Sequence, residues 1–214
     1  MKTDDLIEAL ALTQQPEAAD QMRLRLVQTA GLGLAFAFVV MMIQLGLRPD
    51  LLAALADPMI WTKLAYGGAM GLAGYLAIER LARPDGNPRR GSQLGLLGLT
   101  LILAAGGLQL GLAPSASRVA LILGQSAAQC PGNIAMLSLP VLAVLLLAVR
   151  RMAPVHPMAA GAACGLFSGG LATAIYALHC PESSLGFVAI WYSLGMVLSL
   201  GLGALLGPFV LRWR

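Results

Sequence analysis

The sequence predicts an all-α membrane protein with six transmembrane helices, short loops and a short cytoplasmic amphipathic helix at the N-terminus. Of the 214 residues, 58% are hydrophobic and 11% are charged, whereas a soluble domain is about a quarter charged. Apolar stretches of the length that a helix needs to cross a bilayer recur between polar turns. The pI near 9.3 does not indicate a direct nucleic-acid partner, because the positive charges lie at the ends of these stretches rather than in one patch.

The N-terminal segment 1–22 is predicted to be a cytoplasmic tail and hinge, and 23–214 to be the transmembrane domain. Asp4 and Asp5 lie where a helix N-terminus favours negative charge. Leu6, Ile7 and Leu10 share one apolar face of that helix. Since a helix of about ten residues is marginal alone in water, we expect this tail to fold against a partner protein.

The six predicted spans are 24–47, 60–78, 93–113, 134–149, 158–178 and 185–211. Between the third and fourth spans, 117–129 is expected to form an interfacial or re-entrant helix, and Cys130-Pro-Gly-Asn133 to break the chain. Lys63, near the start of the second span, is expected to extend back toward the membrane interface. Because no Asp, Glu, Arg or His lies deep in any predicted span, we expect neither catalysis nor ion coupling.

The positive charges predict the orientation of the chain in the membrane. Placing the N-terminus inside puts eleven of the 14 Lys and Arg residues on that side and leaves Arg48, Lys63 and Arg118 outside. The positive-inside rule therefore predicts a bacterial inner-membrane protein with both termini in the cytoplasm. Cys130 and Cys180 then lie at span ends on the outer face. Cys164 lies inside the fifth span, where we expect it to be a small packing residue.

The two outer cysteines allow several chemical interpretations. In an oxidising compartment they can form a disulfide, and a thiol beside a His can bind a soft metal ion. Spacing alone leaves open a structural disulfide, two unpaired loop cysteines and a sensing pair. Cys130, His179 and Cys180 are the candidate ligands for transient heavy-metal binding. Glu182 is near His179 and Cys180 in the sequence, but three such groups in one loop do not make a closed site. No resident cofactor is expected, and no Cys-x-x-Cys redox motif is present.

Several motifs occur together along the whole chain. They are the opening Met-Lys-Thr-Asp-Asp-Leu-Ile, then Gly46-Leu-Arg-Pro-Asp-Leu, Pro58-x-x-Trp-x-Lys, the two Cys-Pro pairs and Trp191-Tyr-Ser-Leu-Gly-Met. In this combination the chain resembles the NrsF family of bacterial membrane-bound anti-sigma factors. The resemblance implies that the tail holds an extracytoplasmic-function sigma factor of the SigF type at the membrane, away from RNA polymerase. It also implies that Cys130 and Cys180 sense oxidants or heavy metals.

If the tail binds a sigma factor, we expect it to bind as an amphipathic helix in a groove. Leu6, Ile7 and Leu10 would bury in an apolar groove of the sigma factor, and Asp4 and Asp5 would face basic residues there. Two other classes of function stay open from the sequence. One is a small-solute or metal permease, and the other is a membrane thiol-redox partner that acts through the two outer cysteines.

Overall fold

The computed structural model describes residues 19–83 and 86–212, with side chains from residue 24 onward. This part of the chain is helical and contains no strand, which confirms the predicted all-α class. Two short helices, α2 (Leu51–Ala54) and α5 (Ser115–Leu123), lie between long ones. The long helices are α1 (Ala19–Gln44), α3 (Pro58–Leu81), α4 (Arg89–Leu112), α6 (Cys130–Arg150), α7 (Pro157–Tyr176) and α8 (Leu185–Val210).

The outer surface of the bundle is apolar. Five long helices, all except α3, are long and apolar enough to cross a membrane among the described residues. Large side chains such as Ile43, Leu112 and Phe209 project from them and are more than three-quarters exposed. A soluble monomer rarely exposes so much contiguous apolar surface, so the chain is a membrane protein. Helix α3 differs in composition because it contains Lys63 as well as charged residues in its last turn.

Helix α7 lies at the centre of the bundle and packs most extensively against α8 and α3. Gly161 and Gly165 approach Gly203 of α8 so closely that a Cβ atom at Gly203 would collide with the backbone of α7. Gly170 packs in the same way against Gly67 of α3. Small residues at such crossings let helices associate in lipid, where apolar burial alone gives no driving force.

The long helices alternate in direction, so the loops 45–57, 113–129 and 177–184 meet at one end of the bundle. The backbone N–H of Arg48 donates to the carbonyl of Leu178 across this end, at 3.3 Å. At the opposite end, a cavity of about 640 Å³ lies between the start of α1 and the ends of α3 and α6. Gly207, near the end of α8, packs at the same end against Pro157. The first turn of α1 and the last turn of α8 therefore lie at the same end of the bundle.

Several predicted boundaries differ from the structure. The break predicted at 130–133 is wrong, because α6 begins at Cys130 and includes these residues. Pro131 is tolerated there because the first helical turn has no partner for its N–H groups. The helix predicted over 117–129 ends at Leu123, where Gly124 adopts a positive φ of 50°. Helix α1 begins at Ala19, before the predicted start of the first span.

Candidate functional site

Cys130 and Cys180 lie at the end of the bundle where the three loops meet. Cys130 is the first residue of α6, and Cys180 follows the last turn of α7, where its N–H donates to the carbonyl of Tyr176 at 3.0 Å. Both are free thiols and both are fully buried, so they are not solvent-exposed loop cysteines. The two side chains interact electrostatically with each other, and the side chain of Tyr176 interacts with both. The structure therefore brings together the two cysteines that the sequence singled out.

Residues 177–184, here called the Cys180 turn, are fastened to the end of α1. The Nδ1 atom of His179 lies 2.9 Å from the carbonyl oxygen of Gly46, and the Arg48 N–H donates to Leu178 as described above. Gly46 has a positive φ of 74°, which turns the chain toward the Cys180 turn at low steric cost. The segment that follows α1 is thus bonded to the Cys180 turn through the carbonyl of Leu178 and the imidazole of His179.

A second set of bonds fastens the Cys180 turn to the segment before α6. The carboxylate of Glu182 accepts the backbone N–H of Gln125 at 2.7 Å and the hydroxyl of Ser126 at 3.2 Å. The Ser126 hydroxyl also lies 4.0 Å from the thiol of Cys180. The loop that leads into Cys130 and the turn that contains Cys180 are therefore held together by one carboxylate.

Helices α4 and α5 contact the Cys180 turn and the start of α8. The side-chain oxygen of Gln109 accepts the Ser184 hydroxyl at 3.1 Å and the Gly186 N–H at 3.0 Å. The indole N–H of Trp191 donates to the carbonyl of Ile122 at 2.8 Å. Polar bonds of this kind across helices replace the water that lipid excludes. The contacts fix the start of α8 against α4 and α5.

Lys63 is a principal member of the site. Its predicted extension toward the interface is wrong, because the side chain is 1% exposed and its ammonium donates to the carbonyl of Cys180 at 2.9 Å. The ammonium also lies 5.7 Å from the ring centroid of Tyr192, within the range of a cation–π contact. Lys63 points inward because the Cys180 turn supplies a carbonyl and Tyr192 of α8 supplies an aromatic face inside the bundle.

Tyr192 lies in an irregular part of α8. Residues Val188–Tyr192 form a π-helical segment, a form that usually occurs as a single turn within an α-helix and is frequent at functional sites. The ring of Tyr192 packs 5.8 Å from that of Tyr176, and its buried hydroxyl has no hydrogen-bond partner among the described residues. An unsatisfied buried hydroxyl is costly. The hydroxyl of Tyr192 lies beside Cys180, where it can donate a hydrogen bond to the thiol or accept one from it.

A charged pair lies at the rim of the site. Arg48 donates to both carboxylate oxygens of Asp50, at 2.8 and 2.7 Å. This hydrogen-bonded guanidinium holds the pKa of Asp50 below its ordinary value. Arg48 is also within electrostatic range of Cys180. This end of the bundle therefore carries two cations near the cysteine pair, Lys63 and Arg48, and Arg48 is already paired with Asp50.

The geometry does not assemble the candidate metal ligands. In the described ranges, no three His, Cys, Asp or Glu side chains are grouped so that they could share a metal ion. The imidazole of His179 is engaged by Gly46 and packs 5.7 Å from the ring of Tyr176. Cys130, His179 and Cys180 therefore do not form a ligand set in this structure.

The remaining predicted residues lie elsewhere. The tail residues Asp4, Asp5, Leu6, Ile7 and Leu10 fall outside the described residues. Cys164 is fully buried inside α7, as expected of a packing residue. The sequence reasoning missed Lys63, Tyr192 and Gln109 as parts of the site. The available signal was Lys63, because an ionisable residue within a membrane helix indicates a functional site by default.

Comparison with known proteins identifies the family. The sequence model of the protein family NrsF, described as negative regulator of sigma F, matches residues 10–213. The chain is 47% identical over 217 residues to the anti-sigma-F factor NrsF of Caulobacter vibrioides, and 38% identical over 216 residues to the probable anti-sigma-F factor NrsF of Azospira oryzae. Both alignments cover the whole of this chain and of the relative. No solved structure matches the chain. This full-length similarity shows that the chain belongs to the NrsF family of negative regulators of sigma F.

Proposed function

We propose that this protein is an inner-membrane anti-sigma factor that sequesters an extracytoplasmic-function sigma factor of the SigF type. The observation that carries the proposal is the similarity to relatives named anti-sigma-F factors, which extends from end to end of the chain. The protein would act by binding, and it would keep the sigma factor away from RNA polymerase.

The membrane arrangement follows from charge and from the alternation of the helices. We place both termini in the cytoplasm, because eleven of the 14 Lys and Arg residues then lie on the inner side. The first turn of α1 and the last turn of α8 lie at one end of the bundle, which agrees with an even number of crossings. Helix α3 would cross the membrane in addition to the five helices named above, which makes six spans. The Cys180 turn would shield Lys63 from lipid.

The cytoplasmic tail would be the part that binds the sigma factor. Leu6, Ile7 and Leu10 offer one apolar face for a groove on the partner, and Asp4 and Asp5 offer negative charge to basic residues around it. The charges would mainly speed encounter and orient the helix, whereas apolar burial would supply affinity. The tail precedes α1 directly, so a movement of α1 would change how the tail is presented.

The signal would be a chemical modification of Cys130 and Cys180 by oxidants or heavy metals. Both thiols are fully buried in a packed region, and packed interiors do not absorb added atoms without displacing neighbours. Cys130 begins α6 and Cys180 follows α7, so displacement there acts on two helices at once. His179 and Gly46 would carry the change to α1. The protein would be in equilibrium between a state that holds the sigma factor and a state that releases it. The signal can shift this equilibrium only by its differential affinity for the two states.

Two experiments in the source bacterium test this proposal. A reporter of sigma-factor activity should be silent with the wild-type chain and constitutively active with the Leu6→Asp/Leu10→Asp variant at equal membrane abundance. With peroxide or cadmium as inducer, Cys130→Ser and Cys180→Ser should abolish induction, whereas Cys164→Ser is the matched control and should keep it. Induction that persists in the double Cys130→Ser/Cys180→Ser variant would refute the sensor assignment. Silence of the tail variant would refute the binding assignment.

A further inference from the structure

Lys63 is a buried cation that has no anionic partner among the described residues. Its side chain is 1% exposed, and among the described residues no carboxylate lies within 4.0 Å of its ammonium. An ammonium has three N–H donors, and in this part of the chain a single acceptor, the Cys180 carbonyl, is bonded to it. A buried charge is costly unless it is paired. The Cys180 carbonyl and the Tyr192 ring contact the ammonium, but neither carries a net charge that neutralises it.

Two thiols are among the groups around Lys63 that could take on negative charge. The groups within electrostatic range of it are Cys180 from the turn after α7, Cys130 from α6, Glu182 and Arg48. Glu182 is already occupied by Gln125 and Ser126, and Arg48 is paired with Asp50. Tyr192 from α8 presents its ring to the ammonium, and Tyr176 from α7 and His179 adjoin the cysteines. A thiolate would be the missing counter-charge.

We propose that Lys63 activates the cysteine pair toward electrophilic oxidants, acting on Cys180 more strongly than on Cys130. The preference for Cys180 follows from the 2.9 Å bond between the ammonium and the carbonyl of that residue. The inference deepens the sensing role and rests on the proposed function. It makes Lys63 a positioning and charge-balancing residue, because it acts through the sulfur atoms and does not itself react.

The chemistry can be written for a peroxide as the oxidant. The thiol proton of Cys180 passes to the peroxide oxygen that leaves, and the ammonium of Lys63 stabilises the negative charge that develops on the sulfur. The sulfur attacks one peroxide oxygen, so that an S–O bond forms and the O–O bond breaks. The product is a sulfenic acid, and the leaving hydroxide takes up a proton as water. Sulfur is oxidised by two electrons and the peroxide is reduced. A neighbouring cation also repels metal ions, which favours the oxidant over the heavy-metal alternative.

The test measures thiol alkylation in the purified full chain in detergent micelles. Iodoacetamide is added at neutral pH, and the labelling rates of Cys180, Cys130 and Cys164 are followed by peptide mass spectrometry. Cys164 is the internal control, because it is fully buried in α7 away from the charged groups. The variants are Lys63→Met, which removes the charge, Lys63→Gln, which keeps a donor for the carbonyl, and Lys63→Arg, which keeps the charge.

The expected result is a fall of about tenfold or more in the ratio of the Cys180 rate to the Cys164 rate in the Met and Gln variants, which corresponds to loss of one nearby charge. Lys63→Arg should restore the ratio to within about threefold of wild type, which a merely structural role would not require. Cys130 should change in the same direction by a smaller factor.

Three results would overturn the proposal. The first is a ratio of Cys180 to Cys164 labelling rates in Lys63→Gln that equals the wild-type ratio. The second is a fall in this ratio that Lys63→Arg does not reverse. The third is a ratio near one in the wild-type protein itself. Because alkylation requires no sigma factor, these outcomes are independent of the release assay. If Cys130→Ser/Cys180→Ser left induction intact while Lys63→Met still slowed alkylation, the sensing function would fail and the role of Lys63 in thiol reactivity would stand.

Discussion

Glu182 accepts a hydrogen bond from the backbone N–H of Gln125 at 2.7 Å, and this bond joins the turn that contains Cys180 to the loop that leads into Cys130. The two residues are 57 positions apart in the sequence. The same carboxylate binds Ser126, whose hydroxyl reaches toward the Cys180 thiol. The side chain of Glu182 therefore holds the start of α6 against the turn that follows α7.

Removing that carboxylate should loosen the end of the bundle that contains the cysteine pair. We expect Glu182→Ala to lower the free energy of unfolding by about 1–2 kcal/mol, the range for a charge-assisted hydrogen bond that is partly exposed. The measurement is the midpoint of thermal unfolding in detergent. Glu182→Gln is the matched control, since it keeps one acceptor oxygen and should fall between wild type and Ala. An Ala variant as stable as wild type would mean that the bond between the loops contributes nothing.

The crossing of α7 and α8 should tolerate no added methyl group at Gly203. A Cβ there would meet the backbone of Gly161 and Gly165, so we expect Gly203→Ala to destabilise the fold by about 1–3 kcal/mol. Gly201, on the same helix, has no atom within 4 Å of its Cβ position. Gly201→Ala should therefore be neutral or stabilising by up to about 1 kcal/mol through helix propensity. Equal thermal midpoints for the two variants would contradict this packing.

The indole of Trp191 should contribute more to stability than that of Trp61. Trp191 joins α8 to the carbonyl of Ile122 from a partly buried position, whereas Trp61 is 58% exposed and bonds the carbonyl of Leu55 nearby in sequence. We expect Trp191→Phe to cost about 1 kcal/mol and Trp61→Phe about 0.5 kcal/mol or less. Chemical denaturation monitored by circular dichroism separates them. A larger effect at Trp61 would mean that α5 is not anchored by this bond.

Fusion reporters should establish whether α3 crosses the membrane. We expect alkaline phosphatase to be active when fused after Asp50 or Ser115, and a cytoplasmic fluorescent protein to fold when fused after Gly86 or Arg214. The critical position is Gly86, since a chain in which α3 does not cross would leave it on the same side as Asp50. Phosphatase activity at Gly86 would therefore remove α3 from the set of spans.

Much of the architecture could be predicted because it depends on local composition. A run of about twenty apolar residues must form a helix in lipid, where every backbone group needs an internal partner. The six long helices were predicted for this reason, with ends shifted by a few residues. Cys130 and Cys180 were placed correctly at helix ends, and Cys164 inside a helix. The break predicted at Pro131 failed because a proline that stops a helix in its interior is favourable in the first turn.

The sequence by itself determined the membrane class, the helices, the charge asymmetry and the identity of the two cysteines worth testing. Only the tertiary structure decided that Lys63 faces inward, since its acceptor on Cys180 lies 117 residues away. The same holds for Gln109 and Glu182, whose partners lie 75 and 57 residues away. The physical reason is that hydropathy is a sum over neighbours along the chain, whereas the stability of a buried charge depends on the groups that other helices bring to it.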